Sequence, residues 1–336
     1  MVAMKKTYSL IVFLVFVNFI LSSCSSSNNS APLTVFVTSV SGNGNLSQWP
    51  DALAVSATGV AAGDAVCQAR ATAAGLSGTF VAWLSDSTTD AYCHIQGYTG
   101  TISGTNPNCG QATLPVAAGP WVRTDGYPFA PTIDKLVSGQ IYTPLKYDET
   151  GTIITIDSHY YTGTLYGGDY SGQTCSDWTT GTSSSINGTA GSSDGTRGLW
   201  TYQQNTTCNA TYHLICFQTG TGGPLPSLAL PASAKKVFAT STTGTGDLTS
   251  WATYIASGSS ATGVAAGDAI CQARATAMGI TGAFKAWLSD STTSAPDHVT
   301  AGATTDGPFY RLDGVKIANN KAALKTRASF YFHYCG

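Results

Sequence analysis

The chain has 336 residues, 16 basic and 18 acidic, for a net charge of −2. Only 10% of its residues are charged, against roughly 25% in ordinary globular domains, so Ser, Thr, Asn and Gly must supply most of the polar surface. That balance argues against nucleic acid as a partner. Nine cysteines argue for disulfides, provided the chain is exported.

The N-terminus points to export. Lys5 and Lys6 precede the apolar run "LIVFLVFVNFIL" at residues 10–21. That run is short for a membrane span, which needs about 20 residues. Then comes "LSSC", residues 21–24, which resembles the lipobox of bacterial lipoproteins. The resemblance implies cleavage after residue 23 and acylation of Cys24, so that the acyl chains hold the protein on a membrane. The alternative is an ordinary secretory signal with a chance cysteine. Residues 24–32, including "SSSNNS", read as a flexible tether. No other apolar run is long enough to span a bilayer.

Residues 59–89 return as residues 263–293, with 25 of 31 positions identical. Cys67 aligns with Cys271 at an offset of 204, whereas "GPWVRTDG" (119–126) aligns with "GPFYRLDG" (307–314) at an offset of 188. Copy one therefore holds 16 extra residues between these anchors, and Cys93 and Cys109 are expected to lie in them and to pair with each other. The organisation expected is a complete module at 33–218, a Pro- and Gly-containing linker at 219–234, and a truncated second copy at 235–336. The unmatched end "RASFYFHYCG" leaves Cys271 free, paired with Cys335, or paired between molecules. The C-terminal half is expected to fold incompletely or to depend on a partner. A frameshift or premature stop is the plainest explanation for its mismatched end.

Within the module, "GDAVCQARATAAG" predicts a helix started at Asp64 and stopped at Gly75, with Val66, Ala69, Ala73 and Leu76 facing a core. "TFVAWLS" (79–85) predicts a buried strand, and "TPLKYD", "TIITID" and "HLICFQ" predict further short ones. Helices followed by many short strands predict an α+β module.

The block "GDAVCQARATAAGLSGTFVAWLS", followed in order by "YYTGT", "TCSDWTT" and "TCNATYHLICF", resembles the endostatin domain of collagens XV and XVIII. It is also similar to domains of unknown function in spirochaete lipoproteins. The resemblance implies a C-type-lectin-like fold, with helices packed on a twisted, mostly antiparallel sheet. It also implies nested disulfides Cys67–Cys216 and Cys175–Cys208. Metal binding by these cysteines fits poorly, since zinc sites favour CxxC-type spacing.

Little chemistry is visible. "GSSDG" (191–195) matches the serine-hydrolase pattern around Ser193, but its flanks look like loop where a strand and a helix are required. "NPN" (106–108) faintly resembles the calcium loop of C-type lectins, but its companion motif is missing and a turn is the better reading. The histidines show no metal-like spacing, so neither metal nor cofactor is expected. The module's five basic residues against 12 acidic ones do not support the heparin binding of endostatins. Arg70 and Arg123 recur as Arg274 and Arg311 and read as structural. Tyr160, Tyr161, Tyr166 and Tyr170 cluster among glycines, as a binding surface or partly as core. The function expected is a lipid-anchored, non-catalytic binding or adhesion module for a protein or glycan, displayed from the bacterial envelope on the outer membrane or cell surface. It would engage its ligand through residues 93–109 and 160–177. A structural envelope lipoprotein is the alternative, and a serine hydrolase using Ser193 a remote one.

Overall fold

The computed structural model describes residues 30–155, 158–256, 259–303 and 305–325. Cys24, the segment before it and Cys335 lie outside them. In chain order the first unit contains β1 (Leu33–Val37), α1 (Pro50–Leu53), α2 (Gly59–Ala73), β2 (Phe80–Ala82), α3 (Ala91–His94), β3 (Trp121–Arg123), β4 (Pro128–Ala130) and α4 (Ile133–Val137). It continues with β5 (His159–Tyr161), the single turn α5 (Cys175–Trp178), β6 (Asn187–Ser192), β7 (Gln204–Thr207) and β8 (Ile215–Gln218). The second contains β9 (Lys235–Val237), α6 (Leu248–Ile255), α7 (Gly263–Ala277), α8 (Ala295–Thr300), β10 (Phe309–Arg311), β11 (Lys316–Ala318) and α9 (Lys321–Lys325). The architecture is α+β.

A mixed five-stranded sheet runs in the order β2-β8-β1-β3-β4. β8 lies antiparallel to both β2 and β1, and β1 lies parallel to β3. Alternation with period 2 sends neighbouring side chains to opposite faces. Val35, Val37, Ile215 and Phe217 enter one core with Trp83, Trp121 and Trp200. Phe36, Leu214 and Cys216 enter the other with α2, Trp178 and Tyr161. A second, antiparallel sheet, β5-β6-β7, carries the later loops.

Helix α2 begins at Gly59, five residues before Asp64. Asp64 is thus not a cap; its Oδ1 accepts from the Ala82 amide at 2.8 Å, tying the helix to β2. Gly75 ends the helix with φ +72°, as expected. The buried face is Ala62, Gly63, Val66, Cys67 and Ala71, while Ala73 is exposed. Gly63 allows the close approach: a Cβ there would come within 2.6 Å of Leu84 Cδ1. β1, which the helix-and-strand pattern did not predict, is the hydrophobic "LTVFV". "TPLKYD" and "TIITID" form no strand among the described residues, only bridges such as Tyr147 with Ile153; residues 156 and 157 lie outside them. The expected linker begins as part of the first unit, because the Gly222 amide donates to Gly119 O at 2.9 Å and the Gly223 amide to Ala31 O at 3.0 Å.

Three disulfides close the first unit: Cys67–Cys216, Cys93–Cys109 and Cys175–Cys208, spanning 149, 16 and 33 residues. Cys93 nonetheless lies outside the inserted material. The equivalence α2/α7 continues through α3/α8 at the same offset, so that Cys93 aligns with Asp297 and only Cys109 belongs to the insertion.

Replacing Cys67 and Cys216 together by Ala should lower unfolding stability by about 5 kcal/mol on chain-entropy grounds. Urea denaturation followed by tryptophan fluorescence checks this, and an unchanged midpoint would show that the sheet holds without its longest cross-link.

Candidate functional site

The two loops expected to form a binding face meet at one carboxylate. Asp90, buried at the start of α3, accepts from the Ile102 amide at 2.6 Å and from the Tyr170 amide at 2.7 Å. Burial pushes its pKa above the ordinary carboxylate value, and the two backbone hydrogen bonds oppose that shift. Asp90 thereby fastens the 93–109 loop to the segment around Tyr170.

That segment is a small hairpin. Thr164 bridges Tyr170, the Leu165 amide donates to Asp169 O at 2.8 Å, and the Tyr92 amide donates to Gly168 O at 3.1 Å. Tyr166 stands at its tip, 49% exposed, edge-to-face with Tyr202 at 5.0 Å. Its ring lies against Gly198, where any side chain would strike it. Leu199, 43% exposed, follows directly. The result is a surface patch of Tyr166, Tyr202 and Leu199 on braced backbone. Tyr202 and Leu199 were not anticipated; the glycine in "TRGLWTY" was their only sequence signal.

The four tyrosines divide. Tyr166 is exposed and Tyr170 half-buried, but Tyr160 and Tyr161 are fully buried and are not part of any binding surface. The Tyr160 hydroxyl donates to Ser192 O at 2.7 Å and that of Tyr161 to Ala210 O at 2.8 Å. Burial raises both phenol pKa values well above the usual range. Their hydrogen bonds satisfy the polar tips that would otherwise favour solvent.

A second strained feature borders this region. Cys175, Ser176, Asp177 and Trp178 all have positive φ, between 51° and 66°. Left-handed conformation costs roughly 1–2 kcal/mol per non-glycine residue. The Cys175–Cys208 disulfide, the Trp178 Nε1 bond to Ser85 O at 2.9 Å, and the Asp177 carboxylate accepting from the Ser87 amide and hydroxyl at 2.9 and 2.6 Å hold it in place.

The remaining motifs have structural explanations. "NPN" is a turn, with Asn106 and Asn108 at φ +57° and +55°. A strand does precede "GSSDG", contrary to expectation, but turns follow where the pattern needs a helix. Ser193 is 1% exposed, and its Oγ has no hydrogen-bond partner, hence no base in contact. His159 and His213 engage Gln203 and the Thr38 carbonyl. His94 contacts Asp64 at 2.9 Å, and His298 repeats this with Asp268 at 2.9 Å. Arg70 pairs with Asp51 at 3.1 Å. Arg123 is buried, paired with Asp125 at 2.5 Å and stacked 4.6 Å over Tyr147. Among the described residues, no group of three His, Cys, Asp or Glu side chains could hold a metal ion, and no helix is long and apolar enough to cross a membrane. Among the described residues Cys271 has no disulfide partner, and it is partly buried; burial first, and the Asp268 charge second, push its thiol pKa up to about 11.

No protein-family model matches the chain, and no curated protein is detectably similar to it.

Asp90→Ala should release both loops at once, since two partly buried amides lose their acceptor, at up to about 1–3 kcal/mol for each group left unsatisfied. Hydrogen exchange provides the check: protection should fall at Ile102 and Tyr170 together. Loss at only one would break the proposed bracing of the two loops by a single side chain.

Proposed function

We propose that the chain is a lipoprotein of the bacterial envelope, anchored through acylated Cys24, whose first unit is a non-catalytic binding or adhesion module for a protein or glycan. In this reading the α+β unit is a C-type-lectin-like module of the endostatin kind. The lipobox at residues 21–24 and the order of motifs from Cys67 to Cys216 support it. The three disulfides point to an oxidising compartment.

One observation carries the binding role: Tyr166 and Leu199 are exposed, with the half-buried Tyr202 packed against Tyr166, yet they are mounted on backbone fixed by Asp90, Gly198 and the Cys93–Cys109 disulfide. Rigid aromatic contact area binds with little loss of side-chain entropy. The excess of acidic over basic residues in the module selects neutral or cationic ligands over sulfated polyanions.

Wild-type protein applied to an array of glycans and extracellular-matrix proteins should bind a subset of spots. The double variant Tyr166→Ala, Leu199→Ala should fold normally by circular dichroism and lose about thirtyfold or more in affinity, the scale of a hot-spot residue. Equal binding by the variant would remove the patch from the function. Cys24→Ala should abolish incorporation of labelled palmitate. Protease added to intact cells should cleave the anchored chain; complete resistance would favour a structural role inside the envelope.

A further inference from the structure

The turn that joins β10 to β11 repeats the turn that joins β3 to β4: "RLDG" (311–314) stands where "RTDG" (123–126) does. Arg123 uses its guanidinium twice. Nε and Nη2 donate to Asp125 inside the turn, and Nη1 donates to Pro144 O at 2.6 Å. Arg311 repeats the first of these contacts, from Nη2 to Asp313. Its Nη1 instead crosses to the first unit and donates to Tyr142 O. One segment of the first unit, 142–144, thus accepts from both arginines, at carbonyls two residues apart. That segment is itself held to β4 and its flank: the Tyr142 amide donates to Phe129 O at 2.8 Å, and the Thr143 hydroxyl to Pro128 O at 2.9 Å.

The linker brings the same turn to the same place. Gly223 is tied to the first unit through Ala31 O. Five residues later, Leu228 lies against the turn of the second: a Cβ on Gly314 would come within 2.1 Å of Leu228 O and 2.6 Å of Leu228 Cβ. The matching Gly126 has the same left-handed backbone, φ +82° against +84°, but a Cβ there would meet nothing within 4 Å. Five residues span at most about 18 Å, so the turn stays beside the first unit for as long as Leu228 stays on it.

We propose that the second unit docks on the first through this turn, with Arg311 seated on the Tyr142 carbonyl and Leu228 strapped over Gly314. The partner on which the truncated copy depends is then the first unit of its own chain. Charge favours the arrangement, since the first unit carries 12 acidic residues against five basic ones and receives a cation. Arginine suits the place, because its planar fork can hold Asp313 with one nitrogen and a carbonyl with another. Polar contacts of this kind are common between domains of one chain.

The test uses the full chain. Chymotrypsin cleavage after Leu228 is timed under native conditions, and hydrogen exchange in α7 reports whether the second unit stays folded. Arg311→Ala should speed the cleavage about tenfold or more, the equilibrium scale of one hydrogen bond to a charged group, with α7 protection unchanged. Arg311→Lys should also cleave faster than wild type, since an ammonium lacks the fork. Gly314→Ala should speed cleavage too, whereas Gly126→Ala, with the same backbone strain in the first unit, should not. Wild-type rates in both Arg311→Ala and Gly314→Ala would overturn the docking, as would equal acceleration by Gly126→Ala. Loss of α7 protection in Arg311→Ala would make Arg311 a folding residue of its own unit and overturn it as well. So would a wild-type rate that rises on dilution, which would put Arg311 of one copy on Tyr142 of another.

Discussion

The fold of the first unit depends on holding β8 along both edges and through its sulfur. This strand, last in the unit, enters the middle of the sheet, pairing with β1 on one side and β2 on the other. Ile215 and Phe217 complete the tryptophan-rich core, and Cys216 reaches the opposite face to bond Cys67 on α2. Both cores therefore need the same four-residue strand. The loops that form the candidate site inherit their rigidity from it: Trp83, beside β8, hydrogen-bonds Thr201 at 2.8 Å, next to Tyr202.

Features that rest on local composition were legible in the sequence. Helix α2 follows from its Ala-rich run and its glycine stop, and the core strand from the apolar "FVAWLS". Features set by distant partners were not. Asp64 looks like a helix cap, but its partners, Ala82 and His94, are brought to it only by the fold. Tyr160 and Tyr161 share a glycine-rich neighbourhood with Tyr166, and strand alternation with tertiary packing decides which of them reach solvent. The left-handed turn at Cys175–Trp178 contains no glycine, so nothing local announces it. It persists because a disulfide and several hydrogen bonds outweigh its strain.

The two copies meet one packing problem with different chemistry. In the first, α3 is fastened by Cys93–Cys109, while Ile133 of α4 is buried in the core. In the second, the residue equivalent to Cys93 is Asp297, and Lys321 stands where Ile133 does. Asp297 pairs with Lys321 at 2.6 Å and Lys325 at 3.5 Å, joining α8 to α9. The Lys321 hydrogen bond holds the Asp297 carboxyl well below its usual range. An exposed ion pair has replaced a cross-link and an apolar contact, and salt screening weakens such pairs. The second unit is thus the more loosely built of the two.

Near-identical helices also make Cys67 and Cys271 rivals for the same thiol. What separates them is order of appearance. Cys216 lies 55 residues ahead of Cys271, so in an N-to-C passage into the oxidising compartment proposed above it arrives first. The upstream helix can then claim its strand before its twin arrives, so vectorial passage supplies a selectivity that neither helix encodes.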